Sequence, residues 1–162
     1  MPSYKRGQKI GTAWNYREAA LGSTDTKGKF TDKDFGKPLK LVADSTYDVC
    51  ADGDAIEEIL EAIAAQQPTV NNGFQIGTIR DNGTALAIVG SGSVVIGDIV
   101  VAAAQEALGT SNSPASKPTT AFTKVKSAGD AAAQAAVKFK WRVVSIKAGS
   151  GAAGSEVLIE RI

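Results

Sequence analysis

The residues that could do chemistry are few and can be taken in turn. Glu57 and Glu58 are adjacent carboxylates of the kind that divide general acid and general base work. Neighbouring residues of a strand point to opposite faces, and no aromatic platform for a sugar stands near them in sequence, so a solvated surface explains them better. Cys50, the single cysteine, needs a base to become a nucleophile, and the chain contains no histidine. It reads as a small buried apolar residue. Asp48, Asp52 and Gly53 fit the first, fifth and sixth positions of a calcium loop, but Cys50 stands at the third and Ile59 where the bidentate glutamate belongs. Asp48, Asp52 and Asp54 could hold calcium only adventitiously. Gly149-Ser-Gly151-Ala-Ala-Gly154 matches the dinucleotide fingerprint, which must open a helix within a longer βαβ unit. Only eight residues follow it, and from Ser155 to Ile162 they alternate like a strand. A hairpin turn is the simpler reading. Lys138, Lys140 and Arg142 with Trp141 between them suggest a single-stranded nucleic-acid groove, but strand alternation puts the indole opposite the cations.

The absence of histidine removes the usual general base near neutral pH and the commonest nitrogen ligand of transition metals. One cysteine allows no intrachain disulfide. No catalytic residue, metal site or cofactor is therefore assigned, and the chain reads as a protein that is not an enzyme. Its 162 residues suit one domain. With 18 Lys plus Arg against 17 Asp plus Glu, bulk charge drives no partner choice, and no specific nucleic acid is expected. The near-neutral total hides a segregation: residues 1–40 carry +5, residues 41–110 carry −9 and residues 111–162 carry +5. Such blocks let like subunits attract head to tail, or form one solvated acidic face.

Gly and Ala make up 43 of the residues and aromatics only ten. A buried large apolar side chain supplies about 1.5–3 kcal/mol, so a core this lean should need neighbouring subunits or a surface to complete it. The N-terminus has Lys5, Arg6 and Lys9 but no apolar run after them, and no stretch approaches the roughly 20 apolar residues of a membrane span. Synthesis in the cytoplasm, with no membrane partner, is the expectation.

The elements that must position these residues are mostly short strands. Residues 1–37 show no sustained period and read as an extended arm, yet they hold Tyr4, Trp14, Tyr16, Phe30 and Phe35, half of all the aromatics. Aromatics on an irregular arm anchor it to something, either a partner or the parent domain. The run PLKLVADSTYDV has the signature of a hairpin. In residues 54–67, Ile56, Ile59, Leu60 and Ile63 follow helical spacing behind a capping pattern at Asp54 and Glu57. FQIGTI, TALAIVG, SVVIGDIVVAA, FTKVKS, VKFKWRVVSI and SEVLIERI are β in pattern, separated by Gly- and Asn-rich punctuation, which argues for a barrel or sandwich. Ala131 to Ala136 could make a short helical turn.

The order of these features, FGKPLKLVADSTYDVCADGDAIEEIL, NNGFQIGTI, VVIGDIVVAA and a closing VKFKWRVVSIKAGSGAAGSEVLIERI, resembles the capsid decoration proteins of tailed bacteriophages, also called cement or head-stabilising proteins. Gly-Asp turns at Gly53-Asp54, Gly97-Asp98 and Gly129-Asp130 are the recurring element. The resemblance covers most of residues 35–162. It departs at Glu58, where members of the family often carry glycine. It implies a mainly β protein, a small β-barrel or β-tulip domain over residues 38–162 with an extended capsid-binding arm over residues 1–37. It favours a strand over a helix in residues 54–67. It further implies a homo-oligomer, a trimer ahead of a dimer, on the outer surface of the virion, bridging copies of the major capsid protein. The residues expected to dock on the capsid are Tyr4, Lys5, Arg6, Trp14, Tyr16 and Arg17. The alternative is a β-barrel module of a tail or fibre that binds a ligand or host surface.

Overall fold

The computed structural model describes residues 16–64 and 73–162. The chain is mainly β. Its strands are β1 (Tyr16–Leu21), β2 (Pro38–Ala43), β3 (Thr46–Val49), β4 (Glu58–Ile63), β5 (Gln75–Arg80), β6 (Thr84–Val89), β7 (Ile99–Ala102), β8 (Thr123–Ser127), β9 (Trp141–Ala148) and β10 (Glu156–Arg161), with a short helix α1 (Ala131–Ala136) before β9. β1 to β5 close into one barrel and β6 to β10 into a second. Two barrels thus stand where the sequence reading places one. The described part of the expected arm belongs to the first of them: β1 pairs with β5 along its whole length, and Phe30 is buried in that barrel's core. Only residues 1–15 of the expected 1–37 arm lie outside the described residues.

The two barrels are the same barrel twice. In the first, β1 is parallel to β3 and the other neighbours, β3–β2, β2–β4, β4–β5 and β5–β1, are antiparallel. In the second, β6, β7, β8, β9 and β10 repeat that scheme in the same order. The register repeats too. Leu21 faces Tyr47 as Val89 faces Val125, and Leu39 faces Glu58 and Val49 as Val100 faces Trp141 and Ser127. A bulge after Leu60 in β4 has its counterpart after Val143 in β9. Gly36 and Gly97 enter β2 and β7 at φ +84° and +100°, a conformation that disfavours other residues, and donate equivalent 2.8 Å bonds to the carbonyls of Leu60 and Val143.

This architecture explains the small-residue content. A five-stranded barrel is narrow, so interior positions alternate bulky and small side chains. Leu21 lies where a side chain at Gly77 would begin, its nearest atom 2.4 Å from that position, and Ala19, Ala85, Ala87 and Ala102 are buried. It also explains the helical spacing in residues 54–67. β4 buries both faces, Ile59 in the core of the second barrel together with Ile56, and Leu60 and Ile63 against that of the first. Spacings of three, from Ile56 before the strand to Ile59 and from Leu60 across the bulge to Ile63, thereby imitate a period of 3.6. Asp54 caps a turn instead of a helix, its carboxylate accepting the Ala51 N–H at 2.7 Å. Elsewhere, residues 94–97 and 137–140 form no strand, whereas Ala131–Ala136 is helical with Asp130 as its N-cap.

Among the described residues, two sets of contacts join the barrels beside the buried 2.8 Å bond from the Thr123 hydroxyl to the Gly36 carbonyl. Residues 50–57, which cross from β3 to β4, cover the end of the second barrel where β9 begins and β10 finishes. Gly53 N–H donates to the Ala102 carbonyl at 2.8 Å and Ala102 N–H to that of Asp54 at 2.9 Å. Ile56 is fully buried, and its carbonyl accepts the Trp141 indole N–H at 3.1 Å and Arg161 at 3.2 Å. The second contact is an ion pair with both side chains inaccessible. Lys37 Nζ donates to Asp34 Oδ1 at 2.7 Å and to the carbonyls of Glu106 and Ala107 at 2.8 and 2.9 Å. Asp34 in turn accepts the backbone N–H groups of Thr31 and Gly109. All three ammonium protons are used, which is the condition under which a buried pair is tolerated.

Substituting Lys37→Met strands the Asp34 carboxylate and should cost about 3–5 kcal/mol, read from urea unfolding at neutral pH. The double substitution Asp34→Leu with Lys37→Met should cost less than the single one. A single substitution costing under about 1 kcal/mol would contradict this role.

Candidate interaction surface

Tyr16 and Arg17 are the two described members of the expected docking set; Tyr4, Lys5, Arg6 and Trp14 lie outside the described residues. They open β1 at the end of the first barrel where β4 begins and β2 and β5 finish. β3 pairs with β1 only at Ala20 and Leu21, so Tyr16 to Ala19 carry β5 on one edge and no strand on the other. β2 likewise meets β4 only at Pro38 and Leu39, and its remainder runs past the barrel wall to the turn at Asp44 and Ser45. The result is a cleft of about 460 Å³ lined by Arg17, Leu41, Val42, Asp44, Ser45 and Tyr47. Leu41 and Val42 are 48% and 41% exposed and Tyr16 is 53% exposed, an apolar rim; Val95 and Ile96 are exposed elsewhere.

Arg17 forms the inner wall. Its guanidinium lies 5.0 Å from the centroid of the Tyr47 ring, donates to the Tyr47 hydroxyl at 2.5 Å and also donates to Glu58 Oε1. Glu58 is almost fully buried, and its second oxygen, Oε2, is buried without a hydrogen-bond partner among the described residues. Burial pushes the Glu58 carboxyl above the ordinary glutamate range, and Arg17 offsets that only in part. Glu58 is thus no surface carboxylate, contrary to the sequence reading, but a charge lodged behind Arg17. Glu57 and Glu58 do not share a site. Sequence reasoning missed Leu41 and Val42 as surface residues; the only signal is an apolar run, Leu41-Val42-Ala43, that continues to the turn where a strict barrel strand would alternate.

The other sequence motifs resolve into structural roles. Cys50 is buried in the second barrel's core with its thiol pushed up by burial. Asp48 accepts from Thr26 and the Val49 N–H, Asp52 pairs with Lys126 at 2.6 Å and Asp54 with Lys40 at 2.5 Å, so the aspartates of the calcium-like loop already have partners. No cluster of three metal-ligating side chains occurs among the described residues. Residues 149–154 turn between β9 and β10, and Ser155 Oγ accepts the Gly151 N–H within that turn at 3.0 Å. Trp141 is inaccessible, while Arg142 on the opposite face is exposed beside Glu160. No helix among the described residues is long and apolar enough to cross a membrane. No protein-family model, curated protein or solved structure matches the chain.

The raised Glu58 carboxyl has a signed consequence. The folded chain holds that proton to higher pH than the unfolded chain, so stability falls as pH rises through the interval just above the ordinary glutamate value. Glu58→Gln, which can still accept from Arg17, removes this dependence. The stability of Glu58→Gln relative to the parent should therefore grow from about pH 4 to about pH 7, measured by thermal unfolding. A constant difference would contradict the assignment.

Proposed function

We propose that the chain is a structural, non-enzymatic component of a tailed-phage virion, a decoration protein that binds the outside of the icosahedral head and bridges copies of the major capsid protein. The observation that carries this reading is the placement of the first barrel's open cleft. Its apolar rim and Arg17 lie where residues 1–15 join β1, and that segment brings Tyr4, Trp14, Lys5, Arg6 and Lys9 and no acidic residue. Tyr16 and Arg17 thus stand at one end of the first barrel, where a segment rich in cations and aromatics attaches, as a docking element attaches to a scaffold. The Gly-Asp turns of the family resemblance also support it, since Gly53, Gly97 and Gly129 all occupy positive φ.

Shortening the arm tests this cleanly only if β1 is kept, because removing residues beyond 15 takes away a barrel strand. The chain lacking residues 1–15 should keep its β circular-dichroism spectrum and lose co-sedimentation with expanded heads of the same phage. Undiminished co-sedimentation would sink the proposed role of the arm, and failure of the full chain to bind heads would sink the capsid reading itself.

A further inference from the structure

The repeat gives the open cleft a counterpart in the second barrel. The strand registers place Arg17 with Ala85, Leu41 with Ala102, Ser45 with Thr123 and Tyr47 with Val125. Arg17, Leu41 and Ser45 are exposed, whereas Ala85, Ala102 and Thr123 are buried. What covers the second barrel here is chain that precedes its first strand. Phe35, Gly36, Leu60 and Arg80 close over Ala85 and Thr123 and leave about 160 Å³ between them, against about 460 Å³ at the open cleft. The Thr123 hydroxyl donates to the Gly36 carbonyl at 2.8 Å, and Arg80, just ahead of β6, donates to the carbonyls of Asn82 and Thr84 at 2.8 and 2.9 Å. In the first barrel the Ser45 hydroxyl reaches only its exposed neighbour Asp44. The chain that precedes β1 is residues 1–15.

We propose that the segment preceding β1 covers the cleft of its own barrel, with Trp14 lying on Leu41 and Val42. Attachment and chemistry select this occupant. Arg17 belongs to the lining, and an extended chain advances at most about 3.6 Å per residue, so the Trp14 backbone stands within about 11 Å of it. No free partner is presented to the rim at a comparable effective concentration. Trp14 is the largest apolar side chain of the segment and meets an apolar rim that is otherwise in water. Lys5, Arg6 and Lys9, in a segment without an acidic residue, suit Asp44, the acidic member of the lining. The edge of β1 from Tyr16 to Ala19, beside which no described strand runs, is then covered by the chain that leads into it. Seating Trp14 roots the segment on the barrel and leaves Tyr4, Lys5 and Arg6 to reach outward, so the expected docking residues divide into an inner anchor and an outer contact set. The inference itself needs no capsid.

The test reads Trp14 in the full chain without heads. The chain has two tryptophans and Trp141 is inaccessible, so the difference between the parent and Trp14→Phe isolates the emission of Trp14. That emission should be blue-shifted and should resist acrylamide as the emission of Trp141 does. Leu41→Ser with Val42→Ser, both at exposed positions, should keep the β circular-dichroism spectrum, shift the Trp14 emission to the red and raise its quenching severalfold. A Trp14 quenched as readily in the parent as in the urea-unfolded chain would overturn the proposal. So would a protected Trp14 that the rim substitutions leave unchanged, since the indole would then be seated elsewhere. Protection that is lost on dilution, with a dimer in sedimentation velocity, would overturn it in favour of the segment lying in the cleft of a second copy. An accessible Trp14 in a chain that binds heads would refute this inference alone. A covered Trp14 in a chain that does not bind them would refute the capsid reading alone.

Discussion

The structure depends on the seating of Ile56 under Trp141. A five-stranded barrel is too narrow to hold more than a few large side chains, and its open end exposes them. The second barrel solves this with a segment that is not its own: the Ile56 side chain joins its core and the Ile56 carbonyl satisfies both the buried indole of Trp141 and Arg161. Arg161, whose pKa burial pulls down, also donates to the Glu57 carbonyl and lies over the rings of Phe139 and Trp141. Because the same segment leads directly into β4, whose Ile59 joins the second core and whose Leu60 joins the first, the two cores meet at adjacent residues of one strand. The Asp34–Lys37 pair holds the other side of the seam, tying the approach to β2 to the carbonyls of Glu106 and Ala107.

Duplication changes the meaning of the charge blocks. The acidic block, residues 41–110, contains residues 50–57 and Asp81 at the open end of the first barrel; the basic block, residues 111–162, contains Lys126, Arg161 and, ahead of β9, Lys138 and Lys140. Acid meets base across these blocks within the chain, at Asp52 with Lys126 and at Glu106 with Lys124.

Much of the fold was legible in the sequence. The hairpin at β2 and β3, the cores of β5 and β6, the strands β8 and β10 and the helical turn at Ala131–Ala136 follow from alternation and turn residues. The repeat was not, because few equivalent positions keep their identity: Ala19 with Ala87, Gly22 with Gly90, Gly36 with Gly97, Ile63 with Ile146 and Ile79 with Ile159. The recurring Gly-Asp dipeptides were a partial trace of it, but Gly97-Asp98 corresponds to Gly36-Lys37, so the recurrence crosses the true register. The boundary of the arm was misplaced for a related reason. β1, YREAAL, has Arg17 in phase with the buried Ala19 and Leu21 where a strand signal would be apolar, and only the Arg17–Glu58 pairing, forty-one positions apart, explains why Arg17 belongs to the barrel wall. Glu58 looks like a surface charge in the sequence because nothing local shows which carboxylate an arginine from another strand will cover.

The most direct measurement of the coupling through Ile56 is native-state amide hydrogen exchange. The amides of Gly53 and Glu57, which donate to the carbonyls of Ala102 and Leu39, should be protected to the same degree as those of β4 and β9. A segment 50–57 that exchanges freely while β4 and β9 stay protected would contradict the account.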